Sequence, residues 1–165
     1  MRPFKQPPAK VVFGNPAHFL AFGFGFGLSP VAPGTTGTLA AIPLFAAFSF
    51  LPLWAYLAAT AVVTLAGFWI CGRSSELLGV HDHRGIVWDE IAGYLITMIG
   101  APLAWPWVLA GFVLFRIFDV LKPWPANWAD RRLHGGVGIM LDDVFAGIYA
   151  LIVMQLALRY LPRFA

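Results

Sequence analysis

The chain has 165 residues, 59% hydrophobic and 12% charged, with a formal net charge of +3 and a mean hydropathy of +0.75. Average soluble domains carry about a quarter charged residues, so this chain has too few to cover a water-exposed domain and reads as an integral membrane protein. The length fits one domain, and without a dense basic stripe nucleic acid binding is excluded.

Residues 1–36 read as an N-terminal tail and an interfacial segment. Arg2, Lys5 and Lys10 make a basic start, but Pro3, Pro7, Pro8 and Pro16 interrupt it. "HFLAFGFGFGL" ends at "SPVAPG" without a small-x-small cleavage site, so it reads as interfacial or re-entrant rather than as a signal peptide. In "SPVAPGTTGT", Gly34 and Gly37 flank Thr35 and Thr36 just before a helix. Glycine-rich turns there expose N–H groups to anions, but no Gly-Lys-Ser/Thr follows; taken alone the signal is weak, and a loop with a threonine cap is the safer description.

A spanning helix needs about 20 apolar residues. Five short candidates follow: 37–53, 54–71, 89–104, 105–121 and 143–160. Pro52 divides the first pair and "APLAWPW" the next, because proline lacks an N–H and clashes with the preceding turn. The expected fold is therefore all-α, with two Pro-bounded hairpins and a final helix. Four crossings plus one re-entrant piece is the alternative. Each hairpin returns the chain to its starting side, so residues 29–36, 72–88 and 122–142 share one face. Arg73, Arg84, Lys122, Arg131 and Arg132 lie on that face, against Arg159 and Arg163 on the other. The Lys/Arg excess marks the cytoplasmic side. Trp88, Trp124 and Trp128 are expected at the near interface and Trp54, Trp105 and Trp107 at the far one. Cys71, alone, excludes an internal disulfide and reads as a small buried hydrophobe.

The acids are grouped. Asp89-Glu90 and Asp142-Asp143 each precede an apolar run, with Ala92-Gly93 and Ala146-Gly147 one turn on. Acids in a first helical turn cap N–H groups and suit the dipole, but one acid suffices for that. Neighbours on a helix point about 100° apart, which leaves the second acid of each pair for other work. Gly93 and Gly147 permit close helix approach, so the four carboxylates are expected to meet and hold a hard cation such as Mg²⁺.

In "FRIFDVLKPWP", Arg116, Asp119 and Lys122 share a helix face. Ionisable groups inside apolar segments usually line functional cavities. The pair Arg116–Asp119 reads either as packing or as part of a phosphate clamp, with the guanidinium fork and the lysine charge on phosphate oxygens. Arg131 and Arg132 face lipid headgroups or simply record positive-inside topology. His81, Asp82 and His83 form a polar knot before Asp89, and Gly135, Gly136 and Gly138 read as a mobile connection. There is no G-x-S-x-G, H-E-x-x-H or Cys-x₅-Arg, and "GFGFG" is no dinucleotide fingerprint. What remains is metal-assisted chemistry on a phosphorylated lipid. The rivals are a small ion-coupled transporter or channel, and an anchoring subunit without chemistry.

"SPVAPGTTGTLAAIPL", "GIVWDEIAGYLITM" and "FRIFDVLKPWPANWADRRLHGGVGIMLDDVFAGIYA" together resemble the phosphatidylglycerophosphatase A family. The resemblance spans residues 15 to 155. It implies a single membrane-embedded phosphatase domain over 1–165, dependent on Mg²⁺, in the bacterial inner membrane with its site facing the cytoplasm. It implies conversion of phosphatidylglycerophosphate to phosphatidylglycerol, and points to no protein partner. Asp89, Glu90, Asp119, Asp142 and Asp143 match the family's acidic positions, and Arg116 and Lys122 its basic ones. On this basis Asp89, Glu90, Asp142 and Asp143 are the expected metal ligands, and Asp119 and Asp89 the catalytic acids. Arg116, Lys122, Thr35, Thr36, Arg131 and Arg132 are the expected substrate contacts.

Overall fold

The computed structural model describes residues 6–160. Arg2, Pro3 and Lys5 of the basic start, and Arg163 of the C-terminal tail, lie outside them. All regular structure among the described residues is helical. The order is α1 (Ala9–Phe13), α2 (Pro16–Ala21), a 3₁₀ segment (Gly23–Leu28), α3 (Pro33–Phe48), α4 (Leu53–Leu78), α5 (Trp88–Thr97), α6 (Trp105–Leu121), α7 (Ala126–Arg132) and α8 (Gly135–Tyr160).

Proline marks the turns as expected. Pro33 and Pro106 sit in the first turns of α3 and α6, and Pro52 is the N-cap of α4, positions where a missing N–H costs nothing. α4 follows α3 and α6 follows α5 across these turns; α5 and α6 pack on each other, whereas α3 packs chiefly on α5 rather than on α4. Ser49, Leu51, Leu53, Gly100 and Pro102 line one small hollow, so the two hairpin tips lie together at the end of the bundle opposite the acids.

The ten-residue α5 is the centre of the fold. Ile91, Ala92, Tyr94 and Leu95 have no exposed surface, and α3, α4, α6 and α8 all pack on it. At about 1.5 Å per residue it is only ~15 Å long. Hydrogen bonds to backbone carbonyls lock its register: Trp88 Nε1 donates to Val63 (3.0 Å), the Tyr94 hydroxyl to Val108 (3.1 Å), and the Tyr56 hydroxyl to Leu95 (2.8 Å). The α5–α8 contact depends on glycine. A Cβ on Gly147 would stand 2.6 Å from the Gly93 carbonyl oxygen, and one on Gly93 would stand 2.8 Å from the Asp143 carbonyl oxygen. The close approach expected from the small pairs is present.

Several expectations need correction. α4 continues seven residues past 71, and α5 ends at Thr97 rather than 104. α8 begins at Gly135, not 143, so Gly135, Gly136 and Gly138 belong to the helix. Gly136 packs against the Phe68 carbonyl of α4, and that contact outweighs glycine's low helix propensity. Trp88 and Trp107 are core residues, 7% and 4% exposed, whereas Trp54, Trp105, Trp124 and Trp128 stand on the surface. α4 and α8, at 26 residues each, are long and apolar enough to cross a membrane.

Candidate active site

Three segments separated in sequence converge at one end of the bundle. Pro33 and Gly34 open α3, residues 81–86 form the approach to α5, and Lys122 and Asp130 follow α6. With the first turn of α5, the last turns of α6 and the early turns of α8, they enclose a cavity of about 590 Å³. Local hydrogen bonds set the 79–86 loop. The Ser75 hydroxyl lies within bonding distance of the Val80 and His81 carbonyls (2.7 and 2.6 Å), the Gly85 N–H donates to His83 Nδ1 (3.1 Å), and the Gly135 N–H donates to His81 Nε2 (3.2 Å).

Seven of the chain's eight acids line this cavity, all except Glu76, against the cations Arg84, Arg116 and Lys122. Carboxylates this crowded repel, and phosphate would be repelled with them, unless a cation sits among them. The tightest group is Asp89, Glu90 and Asp143, whose nearest oxygens lie within 4.8 Å of one another. Buried oxygens Asp89 Oδ1 and Glu90 Oε2 have no hydrogen-bond partner among the described residues. Buried polar atoms are normally satisfied, so an all-oxygen donor set with orphaned atoms fits a hard divalent cation.

Asp89 and Glu90 occupy the first turn of α5, as expected. Asp142 and Asp143 do not stand in a first turn. They are eight and nine residues into α8, beyond the four unpaired N–H groups of a helix start. Capping therefore cannot explain them. The two also divide their work. Asp143 joins the three-carboxylate cluster, while Asp142 Oδ2 takes Lys122 Nζ at 2.5 Å. The same ammonium reaches Asp130 Oδ1 at 2.8 Å. Burial opposes the lysine's charge, but Asp142 and Asp130 outweigh it and hold its pKa well above the ordinary lysine range.

Arg116 Nη1 lies 2.5 Å from Asp119 Oδ2 and 3.9 Å from Glu90 Oε1. Gly34 presses on this group from α3, since a Cβ there would collide with Glu90 Oε1 and approach Arg116 Nη1 to 2.9 Å. The structure thus brings Asp89, Glu90, Arg116, Asp119, Lys122, Asp142 and Asp143 to one cavity. It does not bring Thr35, Thr36, Arg131 or Arg132 to its lining. The Thr36 hydroxyl turns back to the Phe26 and Pro33 carbonyls, at 2.8 and 2.7 Å. Arg131 and Arg132 are exposed on the seven-residue α7. Sequence reasoning passed over Asp130, gave Arg84 only a part in topology and Gly34 only a place in the turn before α3, and left His81 and Asp82 without a role. The available signal was that every acid but Glu76 falls between positions 82 and 143.

Residues 19–158 match the family model described as Phosphatidylglycerophosphatase A. The chain belongs to this family. A protein of Escherichia coli (strain K12) named phosphatidylglycerophosphatase A is 49% identical over 141 residues, covering 85% of this chain and 82% of its own length. One from Haemophilus influenzae with the same name is 47% identical over 157 residues, covering 94% and 96%. A relative from Bacteroides thetaiotaomicron, 40% identical over 82% of this chain and 89% of its own, is provisionally named a phosphatidylinositol-3-phosphatase. No solved structure matches the chain. The comparisons give the transporter reading no support.

Proposed function

We propose that this chain removes the terminal phosphate of phosphatidylglycerophosphate, giving phosphatidylglycerol and phosphate, at the cytoplasmic face of the bacterial inner membrane. The observation that carries the reading is the clustering of Asp89, Glu90 and Asp143 beside Arg116 in one cavity, in a chain whose relatives carry the corresponding name. Membrane residence is supported by the length and apolarity of α4 and α8 and by bare aromatic side chains such as Phe50 and Trp105, 82% and 77% exposed. The multi-pass arrangement and its orientation rest on the hairpins and the basic bias of residues 72–132.

Asp89, Glu90 and Asp143 would hold Mg²⁺. The ion supplies a Lewis acid for the phosphoryl oxygens. The side chains do the rest. Arg116 binds the phosphate oxygens through its planar fork and is held in orientation by Asp119. A water oxygen adds to phosphorus and the bond from phosphorus to the glycerol oxygen breaks. Asp119 accepts the water's proton and returns it to the departing alkoxide. Lys122 contributes positive charge near the transferred phosphoryl group, fixed between Asp130 and Asp142. Thr35, Thr36, Arg131 and Arg132 lie outside the cavity lining and have no part in this scheme.

The test is phosphate release by the purified chain from synthetic phosphatidylglycerophosphate in detergent micelles, with Mg²⁺ and after chelation. Phosphatidylinositol 3-phosphate serves as the competing substrate. Turnover that requires Mg²⁺ and favours phosphatidylglycerophosphate is expected. Equal turnover after chelation would remove the metal, and preference for the inositol lipid would remove the assigned substrate.

A further inference from the structure

A second hollow, about 430 Å³, lies between α3 and α6 and belongs to none of the chemistry above. Leu39 and Ile42 form its α3 wall; Trp105, Val108, Leu109 and Phe112 form the α6 wall. Its residues are uniformly apolar, and Leu39 and Leu109 are about half exposed at 46% and 53%. On a helix, positions three or four apart share a face. Trp105, Leu109, Phe112, Arg116 and Asp119 therefore form one stripe on α6, whose polar end is the catalytic cavity and whose apolar end is this groove. On α3, Leu39 lies one turn beyond Thr35, the residue after Gly34. Arg116, which meets Gly34 across the cavity, stands one turn beyond Phe112 at the head of the α6 wall. The groove is thus the apolar continuation of the polar site.

The geometry points to an acyl-chain subsite: the groove takes one fatty-acyl chain of the phospholipid whose phosphate enters the cavity. The inference rests on the lipid-phosphatase reading above. From Arg116 to Trp105 is eleven residues, about 16 Å along the helix. That is close to the half-thickness of a bilayer's hydrocarbon core, roughly 15 Å. A chain laid in the groove exchanges bulk lipid contacts for α3 and α6, so its role is to orient the headgroup toward Arg116 rather than to supply raw affinity.

Two measurements test this on the full chain in mixed micelles. In the first, phosphatidylglycerophosphate and phosphatidylcholine, each bearing the same photoreactive acyl chain, are crosslinked to the protein and the adducts mapped. Preferential labelling of peptides holding residues 39–42 and 105–112 by the phosphorylated lipid, suppressed by unlabelled phosphatidylglycerophosphate, is expected. Equal labelling by phosphatidylcholine shows a wall wetted by bulk lipid and overturns the subsite. In the second, Leu109→Trp and, across the groove, Leu39→Trp fill the space. Each should raise KM for a dipalmitoyl substrate at least fivefold more than for a dihexanoyl one, while Ile152→Trp on the outer face of α8 leaves the ratio unchanged. A ratio unmoved in both groove variants, or a change in oligomeric state in place of a chain-length effect, overturns the proposal. If no lipid phosphate is hydrolysed at any chain length, the reaction assignment fails, and the crosslinking pattern still decides the groove.

Discussion

Asp142 and Asp143 are adjacent in sequence and separate in task. Asp143 shares the carboxylate cluster with Asp89 and Glu90, and Asp142 holds Lys122. Asp143→Asn and Asp89→Asn should each raise the Mg²⁺ needed for half-maximal activity by at least about tenfold, equal to ~1.4 kcal/mol of binding. Asp142→Asn should lower turnover with a much smaller effect on the Mg²⁺ requirement. Mg²⁺ titrations of phosphate release check this, and equal shifts at 142 and 143 would return both to one ligand set. Arg116 is the other residue where two readings part. Its pairing with Asp119 at 2.5 Å is compatible with packing alone, and a buried pair that only packs can often be replaced by apolar residues. Arg116→Lys keeps the charge and loses the fork, so a folded protein with activity down about tenfold or more, ~1.4 kcal/mol at the transition state, is expected. Arg116→Leu combined with Asp119→Leu should fold and be inactive. Wild-type phosphate release by that double variant would make the pair structural.

At the scale of elements, the contact between α5 and α8 is the one most sensitive to a single atom. Gly147→Ala places a methyl 2.6 Å from a backbone carbonyl oxygen, and overpacking of this kind costs about 1–3 kcal/mol. A lowered thermal midpoint in detergent is the expected result, and an unchanged midpoint would mean the helices do not meet as described. This approach was legible in sequence, because an Ala-Gly pair follows each acid pair about one helical turn on. The helix starts at Pro52 and Pro106 were legible too, since proline is tolerated where a helix begins and disfavoured in its interior. The beginning of α8 was not. Gly135, Gly136 and Gly138 carry a local signal for a break, and their helical state depends on a neighbour, α4, that no local pattern reveals. Asp130 was hidden for a similar reason. It sits beside Arg131 and Arg132 and looks like part of a solvated face, and only the fold turns it toward Lys122 eight residues back.

For the molecule as a whole, the three connecting segments and the two hairpin tips lie at opposite ends, and the proposed orientation puts the segments in the cytoplasm. In a Cys71→Ser background, cysteines at Val80 and Arg131 should react with an impermeant thiol reagent only from the cytoplasmic side, and one at Phe50 only from the periplasmic side. Periplasmic labelling at position 80 or 131 would invert the topology. The placement of two aspartates inside α8 also bears on how such a protein is made. In the proposed membrane setting each would oppose insertion of an isolated helix by about 2.5–3.5 kcal/mol on translocon scales. α8 is also the last helix of the described chain to leave the ribosome. By then Lys122, the partner of Asp142, has already been synthesised, along with Gly93 on α5. The residue that holds Asp142 in the finished fold is thus in place before α8 arrives, and a chain lacking Lys122 should stall with its C-terminal helix outside the bilayer.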